Sequence, residues 1–358
     1  MALLESYGLT DYINSAAAKL IDDSVQFARV ITGIRNRYWI VTENGELPAQ
    51  TTGRLLYTTN DSTDLPVAGD WVAVRALDEQ AIICDLLPRR TSLTRKSAGE
   101  GSGRQIVAAN VDTVFIIQSL DRDFNLRRME RYLVMAYEGG VKPVVLLSKQ
   151  DLHVEQEVQS LITEAEAVTH DVPVLSYSAV DNSGVDTIQS LIRPGQTFCL
   201  VGSSGVGKST LINRLLGESR LETQAIREKD SRGRHTTARR ELILLEGGGI
   251  LVDTAGLREL GITAKQSSLA TVFPEIDALA EGCRYRDCRH EKEPDCAVRK
   301  AVETGDLNPA RHASYLKLAK ELAYNAAQAD ELSRLKRKRA QKQLAKDIKQ
   351  ILQRKPRP

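Results

Sequence analysis

The sequence has no long apolar run. Nowhere do about 18 apolar residues follow one another, as a membrane-spanning helix requires. The first residues carry Glu5 and Asp11 and no apolar stretch of signal-peptide length. We therefore expect a soluble protein of the cytoplasm with no membrane contact. We also expect a monomer, which does not follow from these runs.

Cysteine is scarce, with five residues in 358. This number and its spacing do not suggest a disulfide framework. Cys84 and Cys199 stand alone in apolar, strand-like segments, which is typical of buried free thiols. The other three cysteines cluster with a histidine and need a separate explanation.

Net charge is also small, at +2. Residues 331–358 nevertheless contain eleven Lys or Arg against Glu331 and Asp347, a local balance of +9. Two interpretations of this basic tail stay open: a solvated charged helix, or a contact with RNA phosphates.

The length allows two or three domains, and changes of pattern along the chain place their boundaries. We predict a multidomain α/β protein with five parts. No repeat of fixed period is visible, so a repeat architecture is not expected. The parts are an N-terminal extension (1–24), a small β-barrel (25–98), a domain with a mainly parallel sheet (99–264), a helical region that contains the Cys/His cluster (265–330) and a basic helical tail (331–358).

The barrel is predicted from five short β-like segments, with Asn44-Gly45 as a hairpin signal. Strand count alone leaves an OB-like and an SH3-like barrel open. A polar, Gly/Ser-rich segment at 94–103 is typical of a linker. The five segments are 25–32, 38–42, 51–57, 70–75 and 81–86.

From residue 111 onward, apolar strands alternate with helices, which indicates a parallel sheet covered on both faces. Helices are predicted near 126–138 and 155–169, and a long helical pattern begins at 308. The predicted strands are 111–120, 144–147, 172–175, 197–201, 241–245 and 250–252.

A phosphate-binding loop is the strongest motif. The pattern GxxxxGK[ST] follows an apolar strand and precedes a helix, so that backbone N–H groups and the helix N-terminus can hold phosphate oxygens. Lys208 would reach the β- and γ-phosphates and Ser209 would bind Mg²⁺. The predicted contact residues are Gly202, Ser203, Ser204, Gly205, Val206, Gly207, Lys208, Ser209 and Thr210.

Two further segments would complete the phosphate and metal side. Asp253 ends an apolar strand and would lie on the Mg²⁺ side, while the N–H of Gly256 would sense the γ-phosphate. A polar segment contains His235, Thr236 and Thr237, and we expect it to become ordered when the γ-phosphate and metal are present. One of the two threonines should bind Mg²⁺, and spacing does not choose between them.

Base reading is predicted at the end of the strand 144–147. A carboxylate at Asp151 could accept hydrogen bonds from guanine N1 and N2, which adenine cannot offer, while the Lys149 stem packs over the ring. Ser178-Ala179 ends the next strand, where a backbone N–H could contact the guanine oxygen. We therefore predict that this segment selects GTP, although it precedes the phosphate loop in the chain.

Read together, these motifs resemble those of a TRAFAC-type GTPase in circularly permuted order, as in the ribosome small-subunit-dependent GTPase family (RsgA, YjeQ, YloQ). The resemblance implies an OB-fold domain, a permuted GTPase domain with GTP/GDP and Mg²⁺, and a C-terminal zinc domain. It also implies that the protein binds the small ribosomal subunit and its rRNA and acts late in the maturation of that subunit.

Three residues bear on activity. Ser148 stands where the family usually has Asn or Thr, so a weaker hold on the base or the phosphate loop is expected, and Ala255 stands where the family often has Pro. Leu257 occupies the position of the water-orienting glutamine of Ras-like enzymes and cannot orient water. Slow intrinsic hydrolysis is therefore predicted, with His235 swinging in when a partner orders its loop.

The Cys/His cluster has the spacing C-x4-C-x-H-x5-C, formed by Cys283, Cys288, His290 and Cys296. Three thiolates and one imidazole can close a tetrahedral structural zinc site without an open position. One tightly bound zinc is expected. Because the predicted switch at 253–260 runs directly into this region, we expect movement near Gly256 to reach an RNA-binding module.

Two alternatives remain at this point. One is a permuted GTPase that acts on the large subunit. The other is a nucleotide-gated RNA-binding or chaperone module in which hydrolysis is incidental, an alternative that Ser148 and Leu257 keep open.

Overall fold

The structure is a computed structural model, and it describes eight stretches of the chain. These are residues 2–17, 25–34, 36–53, 55, 62–96, 104–217, 241–253 and 266–328. The predicted roles of His235, Thr236, Thr237, Gly256 and the basic tail therefore concern residues outside the described part of the chain.

The N-terminal part consists of two short helices and a closed barrel. Strand β1 pairs with β2, β2 with β3, β3 with β5, β5 with β4, and β4 again with β1. Such a five-stranded barrel is OB-like, which resolves the choice that strand count left open. The elements are α1 (Ala2–Ser6), α2 (Asp11–Ala17), β1 (Gln26–Ile34), β2 (Arg37–Thr42), β3 (Gly45–Thr51), β4 (Trp71–Ala76) and β5 (Ala81–Leu86).

The third barrel strand differs from its prediction. It was expected at 51–57, but it runs over Gly45–Thr51 and pairs with β2 directly after a tight turn, in the register Thr42↔Gly45. The hairpin signal at Asn44-Gly45 was therefore correct, whereas the strand itself was missed. Its proline at position 48, opposite Trp39, lowers the β propensity of the segment.

A separate hairpin follows the barrel. Strand β6 (Ser92–Lys96) pairs antiparallel with β7 (Arg104–Ala109). The prediction of a linker over 94–103 is therefore wrong for residues 94–96, which are part of β6. Residues 97–103 lie outside the described part of the chain.

The central sheet has the order β10-β9-β8-β11-β13-β12. All its neighbours are parallel except β12, which runs antiparallel to β13 and continues into the barrel through Thr32↔Glu241. The mainly parallel sheet is thus confirmed. Its strands are β8 (Thr113–Ser119), β9 (Lys142–Ser148), β10 (Val174–Tyr177), β11 (Thr197–Val201), β12 (Glu241–Leu244) and β13 (Ile250–Asp253).

Apolar side chains from both faces of this sheet are buried. In β8, Val114 and Ile116 join one core cluster and Phe115 and Ile117 join another. Burial on both faces explains why the strand is a continuous apolar run. The helices of this domain are α3 (Leu126–Glu138), α4 (Glu155–Thr169), α5 (Val185–Ser190) and α6 (Lys208–Leu216), and α3 and α4 have the predicted bounds.

The C-terminal part is helical and packs on α3. It contains α7 (Gln266–Val272), α8 (Pro274–Ala280), α9 (Ala297–Thr304) and a longer helix, α10, over 309–328. In the described stretches, no helix has the length and apolar character needed to cross a membrane.

Candidate nucleotide site and metal centre

The phosphate-binding motif forms the turn from β11 into α6. Gly202, Gly205 and Gly207 have φ of 152°, 82° and 95°, backbone conformations that residues other than glycine rarely adopt. A Cβ at Gly202 would lie 2.3 Å from the backbone oxygen of Ile117. The glycines are therefore required for this strand–loop–helix geometry.

Lys208 folds back over its own loop. Its Nζ donates to the backbone oxygens of Gly202, at 2.7 Å, and Ser203. The ammonium group thus lies inside the curve of the loop, where the motif predicts contacts with the β- and γ-phosphates. Ser204 and Gly205 are exposed, and Ser209 and Thr210 are half-buried at the start of the helix.

Ser148 connects the predicted base side to the phosphate loop. Its hydroxyl is buried and donates to the backbone oxygen of Val206 at 2.7 Å. Despite its short side chain, Ser148 therefore supports the loop directly. Tyr177 is buried next to Ser148 in the register of β9 and β10, and burial raises the pKa of its hydroxyl.

Lys149 and Asp151 follow at the carboxyl end of β9. Lys149 has a left-handed backbone with φ of 64°, and its Nζ lies 2.7 Å from Oδ2 of Asp121. Asp151 lies in a 3₁₀ turn, Gln150–Leu152, and is exposed. Its carboxylate is therefore accessible to a ligand.

The Ser178-Ala179 segment follows the neighbouring strand β10. The buried Ser178 hydroxyl accepts the N–H of Val180 at 3.1 Å. The backbone oxygen of Ala179 accepts from Nε of Arg214 in α6 at 3.0 Å. Helix α6, which begins in the phosphate loop, thus also holds the segment predicted to contact guanine.

The sheet order brings these motifs to one edge. Strand β8 separates β11, which leads into the phosphate loop, from β9, which leads into the base-reading segment. Carboxyl ends of parallel strands are the usual ligand site of open α/β sheets. Strand β13 pairs with β11 on the side opposite to β8. It ends at Asp253, the residue that is predicted to lie on the Mg²⁺ side of the site.

Sequence reasoning missed three residues at this edge, namely Gln118, Asp121 and Arg214. Gln118 is buried and exchanges two hydrogen bonds with the backbone of Asn125, which caps helix α3. Asp121 lies just beyond the end of β8. A carboxylate directly after a predicted parallel strand was the signal that could have identified it as a site residue. Arg214 gave no signal, because its partner Ala179 is 35 residues away.

The Cys/His cluster is assembled as predicted. The ligand atoms of Cys283, Cys288, His290 and Cys296 all lie within 4.8 Å of one another. The Sγ atoms of Cys283 and Cys296 are 3.8 Å apart, and His290 Nδ1 lies 3.6 and 3.5 Å from them.

These distances fit zinc. Zn–S bonds of about 2.3 Å and Zn–N bonds of about 2.0–2.1 Å give tetrahedral S···S and S···N edges of about 3.8 and about 3.6 Å. Burial lowers the pKa of His290, which favours the neutral imidazole that binds a metal ion. His312 contacts the backbone oxygen of His290 through Nε2 at 3.1 Å and supports the loop.

Comparison with known proteins gives consistent matches. The model of the RsgA GTPase family matches residues 86–263. A small ribosomal subunit biogenesis GTPase RsgA of Opitutus terrae is 43% identical over 351 residues, which is 95% of each chain. One from Lactiplantibacillus plantarum, RsgA 2, is 42% identical over 353 residues, 97% of each chain.

Two crystal structures share the fold. YjeQ from Thermotoga maritima has a TM-score of 0.60 at 23% identity, over 84% of this chain and 99% of that one. YloQ, described as a circularly permuted GTPase, has a TM-score of 0.60 at 22% identity, over 84% of this chain and 96% of that one.

Proposed function

Because the chain belongs to the RsgA family of small ribosomal subunit biogenesis GTPases and is a GTP-hydrolysing enzyme, we propose that it is a switch that binds the small subunit late in maturation. In this proposal the subunit stimulates hydrolysis. The observation that carries the nucleotide-binding part of the proposal is the hydrogen bond from Ser148 to Val206, while the small-subunit part rests on the relatives. That hydrogen bond joins the predicted base reader to the phosphate loop although the two motifs are permuted in the chain.

On the base side, we assign guanine recognition to the carboxylate of Asp151, with the Lys149 stem against the ring. Ser178 and Ala179 would present a backbone N–H to the guanine oxygen. Two observations support this assignment. Arg214 of the phosphate-loop helix donates to the backbone oxygen of Ala179, and Asp151 is exposed at the same edge of the sheet.

On the phosphate side, residues 202–210 would hold the phosphates, with Lys208 at the β- and γ-phosphates. Ser209, Asp253 and one of Thr236 and Thr237 would bind Mg²⁺, which neutralises phosphate charge when bound. Gly256 would sense the γ-phosphate. The curled loop and its inward-folded lysine support these roles.

The zinc site would be structural, since its four protein ligands leave no open position. Its loop also supports a contact with rRNA, because Arg284, Tyr285, Arg286 and Arg289 are exposed around the ligands. The guanidinium of Arg284 lies 5.5 Å from the centre of the Tyr285 ring. Basic and aromatic side chains together can contact phosphates and stack on unpaired bases.

The proposal is tested by the turnover of GTP and ATP with purified small or large subunits. We expect GTP hydrolysis to rise only with small subunits. We also propose that the enzyme is monomeric and meets this partner in the cytoplasm. Stimulation by large subunits alone would instead favour the large-subunit alternative. Turnover that neither subunit changes would favour an RNA-binding module with incidental hydrolysis.

A second experiment tests His235. We expect His235→Ala to retain GTP affinity and zinc content but to lose stimulated turnover, because no glutamine orients the attacking water. Unchanged stimulated turnover would remove His235 from the mechanism.

A further inference from the structure

Asp121 lies between the two halves of the nucleotide site. It follows β8, which separates the phosphate strand β11 from the base strand β9. The last residue of β8, Ser119, is in register with Ser148, the last residue of β9. Asp121 and Lys149 therefore leave the sheet side by side.

The carboxylate of Asp121 is fixed by three partners. Its Oδ1 accepts the Ser119 hydroxyl at 2.6 Å and the N–H of Asp123 at 3.1 Å. Its Oδ2 accepts Nζ of Lys149 at 2.7 Å. The hydrogen bond from Lys149 is the main reason that the pKa of Asp121 is lowered to about 2.

Lys149 is restrained at both ends. Its backbone adopts a left-handed conformation that is uncommon outside glycine, asparagine and aspartate. Its ammonium is held by Asp121, so the four-carbon stem spans the gap between the ends of β9 and β8. An unanchored lysine would have to give up its rotamer freedom on binding a ligand.

We propose that Asp121 is a positioning residue for guanine binding, which anchors the Lys149 ammonium so that the stem forms a fixed apolar wall for the base. This inference rests on the proposed base site at Asp151. Asp121 makes no contact with the base itself and acts through Lys149. The cost of ordering the lysine is met before the nucleotide arrives, which favours binding.

The experiment compares Asp121→Asn with Asp123→Asn. Asp123 lies in the same loop but pairs with Arg128 at 2.7 Å, so the second variant controls for a general disturbance of the loop. Binding of a fluorescent GDP analogue is measured, together with KM and kcat for GTP. We expect Asp121→Asn to weaken GDP and GTP binding about tenfold, equivalent to about 1.4 kcal/mol, with kcat unchanged. Asp123→Asn should bind as the parent does.

A double-mutant cycle with Lys149→Met separates positioning from a structural role. Methionine keeps an apolar stem but removes the ammonium. If Asp121 acts through Lys149, Asp121→Asn has no further effect on affinity in the Lys149→Met background. Equal weakening in both backgrounds, or none in the parent, overturns the proposal.

Asp151→Asn distinguishes this inference from the base site on which it rests. An amide cannot accept both guanine hydrogen bonds, so GTP affinity should fall and affinity for xanthosine triphosphate should rise. If GTP affinity is retained, the base site is wrong and the role of Asp121 fails with it. If Asp151→Asn weakens GTP binding but Asp121→Asn does not, only the role of Asp121 is refuted.

Discussion

The guanidinium of Arg311 in helix α10 donates a hydrogen bond from Nη1 to Oε1 of Glu130 in helix α3, at 2.6 Å, and both side chains are buried. The guanidinium also bonds Glu275 at 2.6 Å and lies 4.2 Å from the centre of the Phe273 ring. Glu130 in turn accepts the hydroxyl of Ser314. This ion pair therefore fixes the C-terminal helices on the GTPase domain.

Arg311→Met is expected to destabilise the protein by about 3–5 kcal/mol, because it leaves the Glu130 carboxylate buried without its charged partner. Denaturant unfolding would measure the loss. Arg131→Gln is the control, since the neighbouring Arg131–Glu321 pair is partly exposed and should contribute only about 0–1 kcal/mol. Equal losses in both variants would contradict a special role for the buried pair.

Arg29 joins three parts of the chain. It is buried and donates to the backbone oxygens of Tyr7, Gly69 and Asn110 and to the Thr197 hydroxyl. Lysine lacks the forked donors, so Arg29→Lys should destabilise the fold by about 3 kcal/mol and open it to proteolysis.

The exposed Arg37 of β2 serves as the control for Arg29. Arg37→Lys should change the free energy of unfolding by no more than about 0.5 kcal/mol. If Arg29→Lys proved equally neutral, the guanidinium would not be what holds the barrel, the N-terminal extension and the GTPase domain together.

One zinc ion per chain is expected on metal analysis. Chelation should unfold mainly the C-terminal third, because the binding free energy of a structural zinc would contribute to the folding of the segment that holds its ligands. Hydrogen exchange before and after chelation would locate the change. Cys296→Ser should lose the zinc and Cys84→Ser should keep it, and full stability of a zinc-free protein would refute a structural role.

The Asp121–Lys149 pair gives a pH prediction. Asp121 has a pKa of about 2 in the folded chain against about 3.9 when unfolded. The stability it contributes is therefore complete above about pH 4 and is lost as pH falls through about 2. Carboxylate NMR should show this pKa, and Lys149→Met should raise it. An unchanged pKa in that variant would mean that Lys149 is not its main cause.

Much of the fold could be predicted from local patterns. Helices α3 and α4 and strand β11 have their predicted bounds, because amphipathic periodicity and continuous apolar runs are local signals. Strand β3 was misplaced because the proline at position 48 lowers the local β propensity of the segment. In the structure, pairing with β2 outweighs that local preference. The antiparallel direction of β12 also required the structure, as direction is set by the neighbour β13.

The sequence by itself determined which chemical groups are available for the proposed chemistry: a glycine-rich loop with three glycines and Lys208, a carboxylate at Asp151, and a Cys3His set of candidate zinc ligands within fourteen residues. Each of these depends on residue type and spacing along a short segment. Only the tertiary structure decided how the segments meet. The contacts of Ser148 with Val206, Asp121 with Lys149 and Arg311 with Glu130 join residues 28 to 181 positions apart, and sheet order and helix packing, not local pattern, bring them together.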